Sequence, residues 1–483
     1  MAAVVPTPPC PQAACLVEAG LQSQILVPTD ADYASRQECY WSNSAKLQPA
    51  CIVRPRSSFE VASAVKALVA ANQPFAVRSG GHTNWAGSNN IDGGVTIDLG
   101  LLAITEFDAA TETAIIGPGA RWREVYAELH KRGRVVAGGR EGNVGVAGLL
   151  LGGGNTFFTA RRGFACDNVV AYEVVLADGS IVTATANTHA DLFRALKGGS
   201  NNFGIVTSFR MAAIPCNKVW GGMTFFPKQI IPAAIDAIVA FTDNLRHDPD
   251  SNLVCIFTHM PDFKDVVVAT LYAQVAGVEK APAYDKWLAL PEIMNTIKMT
   301  SVSEMAFEYN IPTNYHNTWF TLSFRNDARI LAKASELHDV LVAELQAFIP
   351  DGDFITQCLF QPLPTLFAEN SVAAGGNVMG VEQHAHDGIL FLAVVMAKTQ
   401  KQEAFAYPKV KAWVQAVKEF AQGIDGGLLS WTYLNYADKS QDALASYGAD
   451  NVRKLKEAAA KYDSDQVFQK LCPGGFKISD VKG

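Results

Sequence analysis

Charge is scarce in this chain, and long apolar runs are missing altogether. Only 18% of the 483 residues are charged, and 40 Lys+Arg against 47 Asp+Glu leave a net charge of −7. That mild acidity offers no basic face to nucleic acid or to an anionic membrane. No apolar stretch approaches the ~18–20 residues that a membrane-spanning helix needs. The stretch from Met1 to Leu21 holds no Lys or Arg, the first cation being Arg36, and Pro6, Pro8, Pro9 and Pro11 interrupt any apolar segment. It does not read as a secretory signal. An intracellular protein is therefore expected, with a secreted one whose signal has been removed as the alternative. Nine cysteines contain no CxxC and no Cys/His spacing that suits zinc, so no metal site is expected. They read as separate buried thiols, with at most one disulfide among Cys10, Cys15, Cys39 and Cys51. Neither GxGxxG nor GxxxxGK[ST] occurs, which removes the two commonest nucleotide-loop templates.

What is present is an ordinary folding composition, 49% hydrophobic and 10% aromatic, in a chain long enough for two to four structural units. Cys51–Val53 and Phe75–Arg78 read as short strands, and Ser57 with Glu60 three residues on predicts a capped amphipathic helix between them. Further strands are expected at Val95–Leu99, Val169–Ala177 and Gly204–Phe209, with a helix over Arg121–Arg132 and a hairpin turn at Asp178-Gly179. After about Ile214 glycine thins out. Residues 229–246 and 329–348 are helical by period, 264–274 and 388–397 look like strands of a second sheet, and 280–330 is hard to read.

Four glycine-rich or polar elements carry the chemistry. The first, Arg78-Ser79-Gly80-Gly81-His82, follows a strand; two glycines let the backbone turn tightly and bring N–H groups against an anion, to which Arg78 and Ser79 would add donors. Alone, it is equally a plain tight turn. The second runs from Gly138 to Gly154 and includes Glu141, Val144, Gly145, Gly148, Gly152 and Gly153 around an apolar Leu149–Leu151 centre. So much glycine interleaved with Val and Leu suggests backbone packed on a flat, bulky ligand. The third is Gly163 to Val170, with Asp167, Asn168 and Val169; the fourth runs from Asp191 through Gly204, Ile205 and Val206 to Thr207.

In this order the four elements resemble the FAD-binding domain of the vanillyl-alcohol-oxidase/p-cresol-methylhydroxylase superfamily, and more closely its berberine-bridge-enzyme-like branch of fungal FAD-linked oxidases. The likeness is dense over 47–215, returns at Tyr433-Leu434-Asn435-Tyr436-Ala437-Asp438, and is loose over 216–415. The resemblance implies an α+β fold of two domains. A split FAD domain (1–215 with 416–483) would be closed by a substrate domain of antiparallel sheet and helices (216–415).

It also implies roles. The RSGGH loop would hold the pyrophosphate, with His82 bonded to the flavin 8α carbon. A second link, through a Cys to flavin C6, is common in the branch, but Glu141 stands at that position, so His82 would be the sole tether. Val144 falls beside the family's dioxygen pocket. Asp167, Asn168 and Val169 with Gly204, Ile205 and Val206 would line the adenine and ribose, and Asn435 would contact FAD. Tyr433 and Tyr436 are candidate bases; read as a strand, residues three apart face opposite ways, so one would reach substrate. A phenol titrating near 10 needs a cation nearby to serve as base. Among Trp220, Phe225, Tyr315 and Trp319 some would wall the cavity. The activity implied is hydride transfer from a secondary metabolite (a polyketide, phenol or alcohol) to flavin N5, with O2 as acceptor, by a monomer. A carbohydrate oxidase and a flavin-bearing cyclase without net redox stay open.

Overall fold

A computed structural model describes residues 8–216 and 218–482. Pro6 and the rest of the first seven residues lie outside that range.

The first sheet pairs Ile25–Leu26, Cys51–Val53, Val95–Asp98 and Phe75–Arg78 in that order, with the last three strands parallel. The helix Ser58–Ala70 crosses between the parallel strands, capped as expected by the Ser57 hydroxyl, which accepts from the Glu60 N–H at 3.2 Å. A second, antiparallel sheet orders Thr105–Asp108, Thr113–Ile116, Ile205–Ala212, Val169–Val175 and Ile181–Thr185. Its last pair is closed by the Asp178-Gly179 turn, where Gly179 takes a φ of +77°.

The third sheet is the largest: nine antiparallel strands, most of them between Val219 and Ala397. One face packs on the helices Ile231–Asn244, Ala328–Phe348 and Gln400–Gln422. The other face looks at the glycine-rich segment. The strand Phe354–Leu363 shows the division: Phe354, Cys358 and Phe360 point into the helix-covered core, whereas Ile355, Gln357, Leu359 and Gln361 face a cavity.

The expected boundary at 415 needs moving. It falls inside the helix Gln400–Gln422, and the strand Leu428–Leu429 still pairs with His316–Arg325 of the large sheet. Only beyond that strand does the chain return to the first two sheets. There Leu471 accepts from the Phe75 N–H at 2.8 Å, and Phe468 meets the Phe75 ring edge-on at 6.3 Å.

All nine cysteines are free, and Cys39 is exposed rather than buried. Among the described residues no helix is long and apolar enough to cross a membrane, and no cluster of three or more His, Cys, Asp or Glu could hold a metal ion.

Candidate active site

Between the glycine-rich segment and the large sheet lies a cavity of about 520 Å3. Its floor is a contact that only glycine permits. A Cβ built on Gly80 would fall 2.4 Å from the Gly145 Cα, and one on Gly145 would fall 2.5 Å from the Gly80 Cα. The two loops singled out by sequence therefore lie backbone against backbone, and Gly81, at φ +67°, turns the first of them sharply. Arg121 ties the pair together, donating to the carbonyls of Gly80 and Asn143. Gly148 faces open space where a Cβ would stand, so the floor ends in a bare shelf suited to a flat ring system. Gly80→Ala should destabilise the protein by about 1–3 kcal/mol through backbone overpacking and strip the floor of ligand. A thermal melt and the visible absorbance of the purified variant check this.

His82 is the one imidazole lining this cavity. Among the described residues both ring nitrogens are shielded and have no hydrogen-bond partner, and Trp41 stacks on the ring at 4.6 Å with planes 16° apart. Burial, followed by the field of Arg121, pulls its pKa down to about 3, so the ring is neutral with a free lone pair. Glu141 and Val144 also line the cavity. The Glu141 carboxylate accepts from Asn143 Nδ2 at 3.0 Å, its other oxygen has no partner among the described residues, and burial raises its pKa.

Above His82 the polar groups converge. The Tyr436 hydroxyl accepts from Arg140 Nη2 and from Gln361 Nε2, both at 3.1 Å. Arg140 also donates to Gln361 Oε1, which takes a further bond from Asn155 Nδ2 at 3.2 Å. Tyr433 lies behind this group, 1% exposed and absent from the cavity wall. Its hydroxyl accepts from the Asn155 backbone N–H at 2.7 Å and from Asn435 Nδ2 at 3.2 Å, and burial raises its pKa. One tyrosine does reach the cavity, but not for the reason expected. Leu434–Tyr436 is a 3-10 turn, not a strand, and the two rings sit 4.8 Å apart.

Gly204, Ile205, Val206 and Asn435 line the cavity, and Ser79 lines it too, although its hydroxyl donates to the Pro118 carbonyl. Other expected contacts are corrected. Arg78 is fully buried away from the cavity, 3.5 Å from Asp98, over the Tyr40 ring, and donating to the Arg36 carbonyl. Asp167 holds the Phe164 N–H, Ser371 and Asn377, while Asn168 donates to the Arg162 and Phe164 carbonyls. Neither of these, nor Val169, lines the cavity. Gly152 leaves room for the Asn435 amide and Gly153 for the Met379 sulfur, so both act one layer behind the wall. Of the four aromatics, Phe225 and Trp319 line the cavity, and Trp220 and Tyr315 do not.

Sequence reasoning assigned no role to Arg140, Gln361, Asn155, Arg121 or Trp41. Gln361 carried a signal: with Gln357, four residues away, it is polar on a strand face otherwise made of Ile355, Leu359 and Leu363. Arg140 sits within the quoted glycine segment, but nothing local says which way it points.

The floor, the shelf and the neutral imidazole fit a large planar cofactor, and the comparisons name it. Residues 49–185 match the family model "FAD binding domain". The chain is 37% identical to the FAD-dependent monooxygenase drtC of Aspergillus calidoustus, over 96% of this chain and 90% of that protein. Its fold is similar to that of 6-hydroxy-D-nicotine oxidase from Arthrobacter nicotinovorans, with a TM-score of 0.76, 21% identity, and coverage of 93% and 97% of the two chains. It is similar also to berberine bridge enzyme from Eschscholzia californica, with a TM-score of 0.73, 17% identity, and coverage of 98% and 100%. At such identities the solved structures speak for the fold, and the fungal relative carries the family. The chain belongs to the berberine-bridge-enzyme-like family of FAD-linked oxidoreductases, and FAD is its cofactor.

Proposed function

We propose that this enzyme is an oxidase of an apolar secondary metabolite bearing a hydroxyl group, with FAD held through a single covalent bond to His82. The observation that carries the reading is the wall facing the flavin floor. Val254, Ile256, Leu271, Ile355, Leu359 and Leu392 make it aliphatic, with polar groups gathered at Tyr436. A pocket that is mostly apolar with a few convergent polar groups suits a polyketide-like or phenolic body. A sugar would need hydroxyl partners along the whole wall, which disfavours the carbohydrate alternative.

Gly80, Gly145, Gly148 and His82 would hold FAD, which would supply a two-electron acceptor for hydride from the substrate carbon and an outlet to dioxygen, giving hydrogen peroxide. The chain's own residues then have three tasks. Tyr436, as phenolate, would take the substrate hydroxyl proton and become the neutral phenol; Arg140 and Gln361 point their donors at the oxygen that bears the charge before that transfer. The aliphatic wall excludes water and fixes the substrate's approach. His82, neutral and without a partner, offers a nitrogen for the tether, while Glu141, at the place of the family's second tether, cannot form a thioether. Val144, at the floor, is small enough to leave dioxygen a path.

Oxygen uptake and peroxide yield, measured over a panel of phenols, enolic polyketides, alcohols and oligosaccharides, test this. The expected result is turnover of an apolar member with one peroxide formed per dioxygen consumed. Turnover of oligosaccharides alone would contradict it. The curated relative is named a monooxygenase, and label from 18O2 appearing in the product in place of peroxide would transfer that activity to this chain.

A further inference from the structure

Resting on the reading that this cavity takes the substrate, we infer that Gln357 is a specificity-determining residue. It reads a second hydrogen-bonding oxygen, a carbonyl or hydroxyl, about 13 Å along the substrate from the reacting end. The length follows from the strand that carries it. Gln357 and Gln361 are four residues apart on the cavity face of Phe354–Leu363, and four steps of ~3.3 Å give that span.

The wall is banded. At one end Gln361 is committed to Tyr436, Arg140 and Asn155. The next row across the sheet, Ile256, Leu359 and Leu392, is entirely apolar, by the register that pairs Leu359 with both its neighbours. The following row carries Gln357. Phe225 and Ala269 extend the apolar row of Ile256 and Leu359, and beyond Gln357 the cavity is closed by Ile355 and Met260, again apolar.

Gln357 stands apart from every other residue of its strand. The remaining nine are buried; Gln357 alone is partly exposed, and its exposure is into the cavity. Among the described residues its amide has no hydrogen-bond partner, whereas Thr258, lining the cavity nearby, is satisfied by the Thr356 carbonyl at 2.7 Å. Leucine would fill the position as it does at 359. A substrate that fills this band without offering an oxygen strips the amide of water and leaves it unpaired, whereas one with an oxygen at that distance replaces the water. The predicted substrate is thus elongated, with its reacting hydroxyl at Tyr436, an apolar body against Leu359, an oxygen at Gln357 and an apolar end beyond.

The test measures binding, not turnover, so its failure is separate from failure of the redox reading. Three probes are titrated into the holoenzyme by calorimetry, with the flavin spectrum as a check of integrity. They are a phenol with an unbranched octyl chain, the same phenol with a ketone one carbon from the chain's end, and the corresponding chain alcohol. The oxygenated probes should bind roughly ten- to a hundredfold more tightly than the plain alkyl phenol. Gln357→Leu should erase that preference. Gln357→Glu, which accepts but cannot donate when ionised, should lose the ketone and keep the alcohol. An unchanged preference in Gln357→Leu, equal binding of all three to the unaltered enzyme, or no binding of any would each overturn the inference.

Discussion

Tyr436→Phe should lower the rate of flavin reduction by roughly 10^2- to 10^4-fold, the range over which a positioned acid or base contributes. The hydroxyl removed is the group on which Arg140 and Gln361 converge, both at 3.1 Å. Among the described residues no other hydroxyl accepts from Arg140 or Gln361, and Tyr433 is buried behind the wall with its oxygen occupied by Asn155 and Asn435. The matched variant Tyr433→Phe should behave in the opposite way. It leaves the buried Asn155 N–H without an acceptor, costing about 1–3 kcal/mol of stability, while the rate of flavin reduction changes little. Anaerobic stopped-flow absorbance and thermal melts of the two variants separate the roles. A large rate loss in Tyr433→Phe with none in Tyr436→Phe would reverse the assignment.

His82→Ala should abolish retention of yellow colour in acid-precipitated protein, whereas the unaltered enzyme keeps it in the pellet. The effect is all or none if His82 is the sole tether, because Glu141 at the second position offers no sulfur. The variant should still fold and take up FAD reversibly, for the floor is built from Gly80, Gly145 and Arg121, none of which His82 touches by hydrogen bond. Its bound flavin should have a lower reduction potential, since an electron-withdrawing attachment has gone, and so should accept hydride more slowly. Colour retained in the His82→Ala pellet would require a tether elsewhere.

The glycine loops were readable from sequence because their function is written as an absence. At Gly80 and Gly145 any side chain collides with backbone, so the residue type itself reports the contact. The Asp178-Gly179 turn and the Ser57 cap were readable for a similar reason, each depending on neighbours one to three residues away. Polar residues were less transparent. Arg78 and Asp167 look in sequence like groups that face a ligand, but one is paired with Asp98 and the other gathers Ser371 and Asn377 from across the fold. Partners that lie two hundred residues off, as Ser371 and Asn377 do from Asp167, leave no local trace. Most of the large sheet was also opaque. Val219–Pro227, Ser251–Thr258 and His316–Arg325 are buried along nearly their whole length, so the alternation that marks a half-solvated strand is lost. The aliphatic wall came into view only when those strands were side by side.

Whether the chemistry is redox at all is decided by mixing holoenzyme with a turned-over metabolite in the absence of oxygen and following flavin absorbance. Bleaching with one product formed per flavin, and recovery of colour with peroxide when air is admitted, is the expected result. Product accumulating while the flavin stays oxidised would mean that the cavity shapes a cyclisation instead, and would contradict the oxidase.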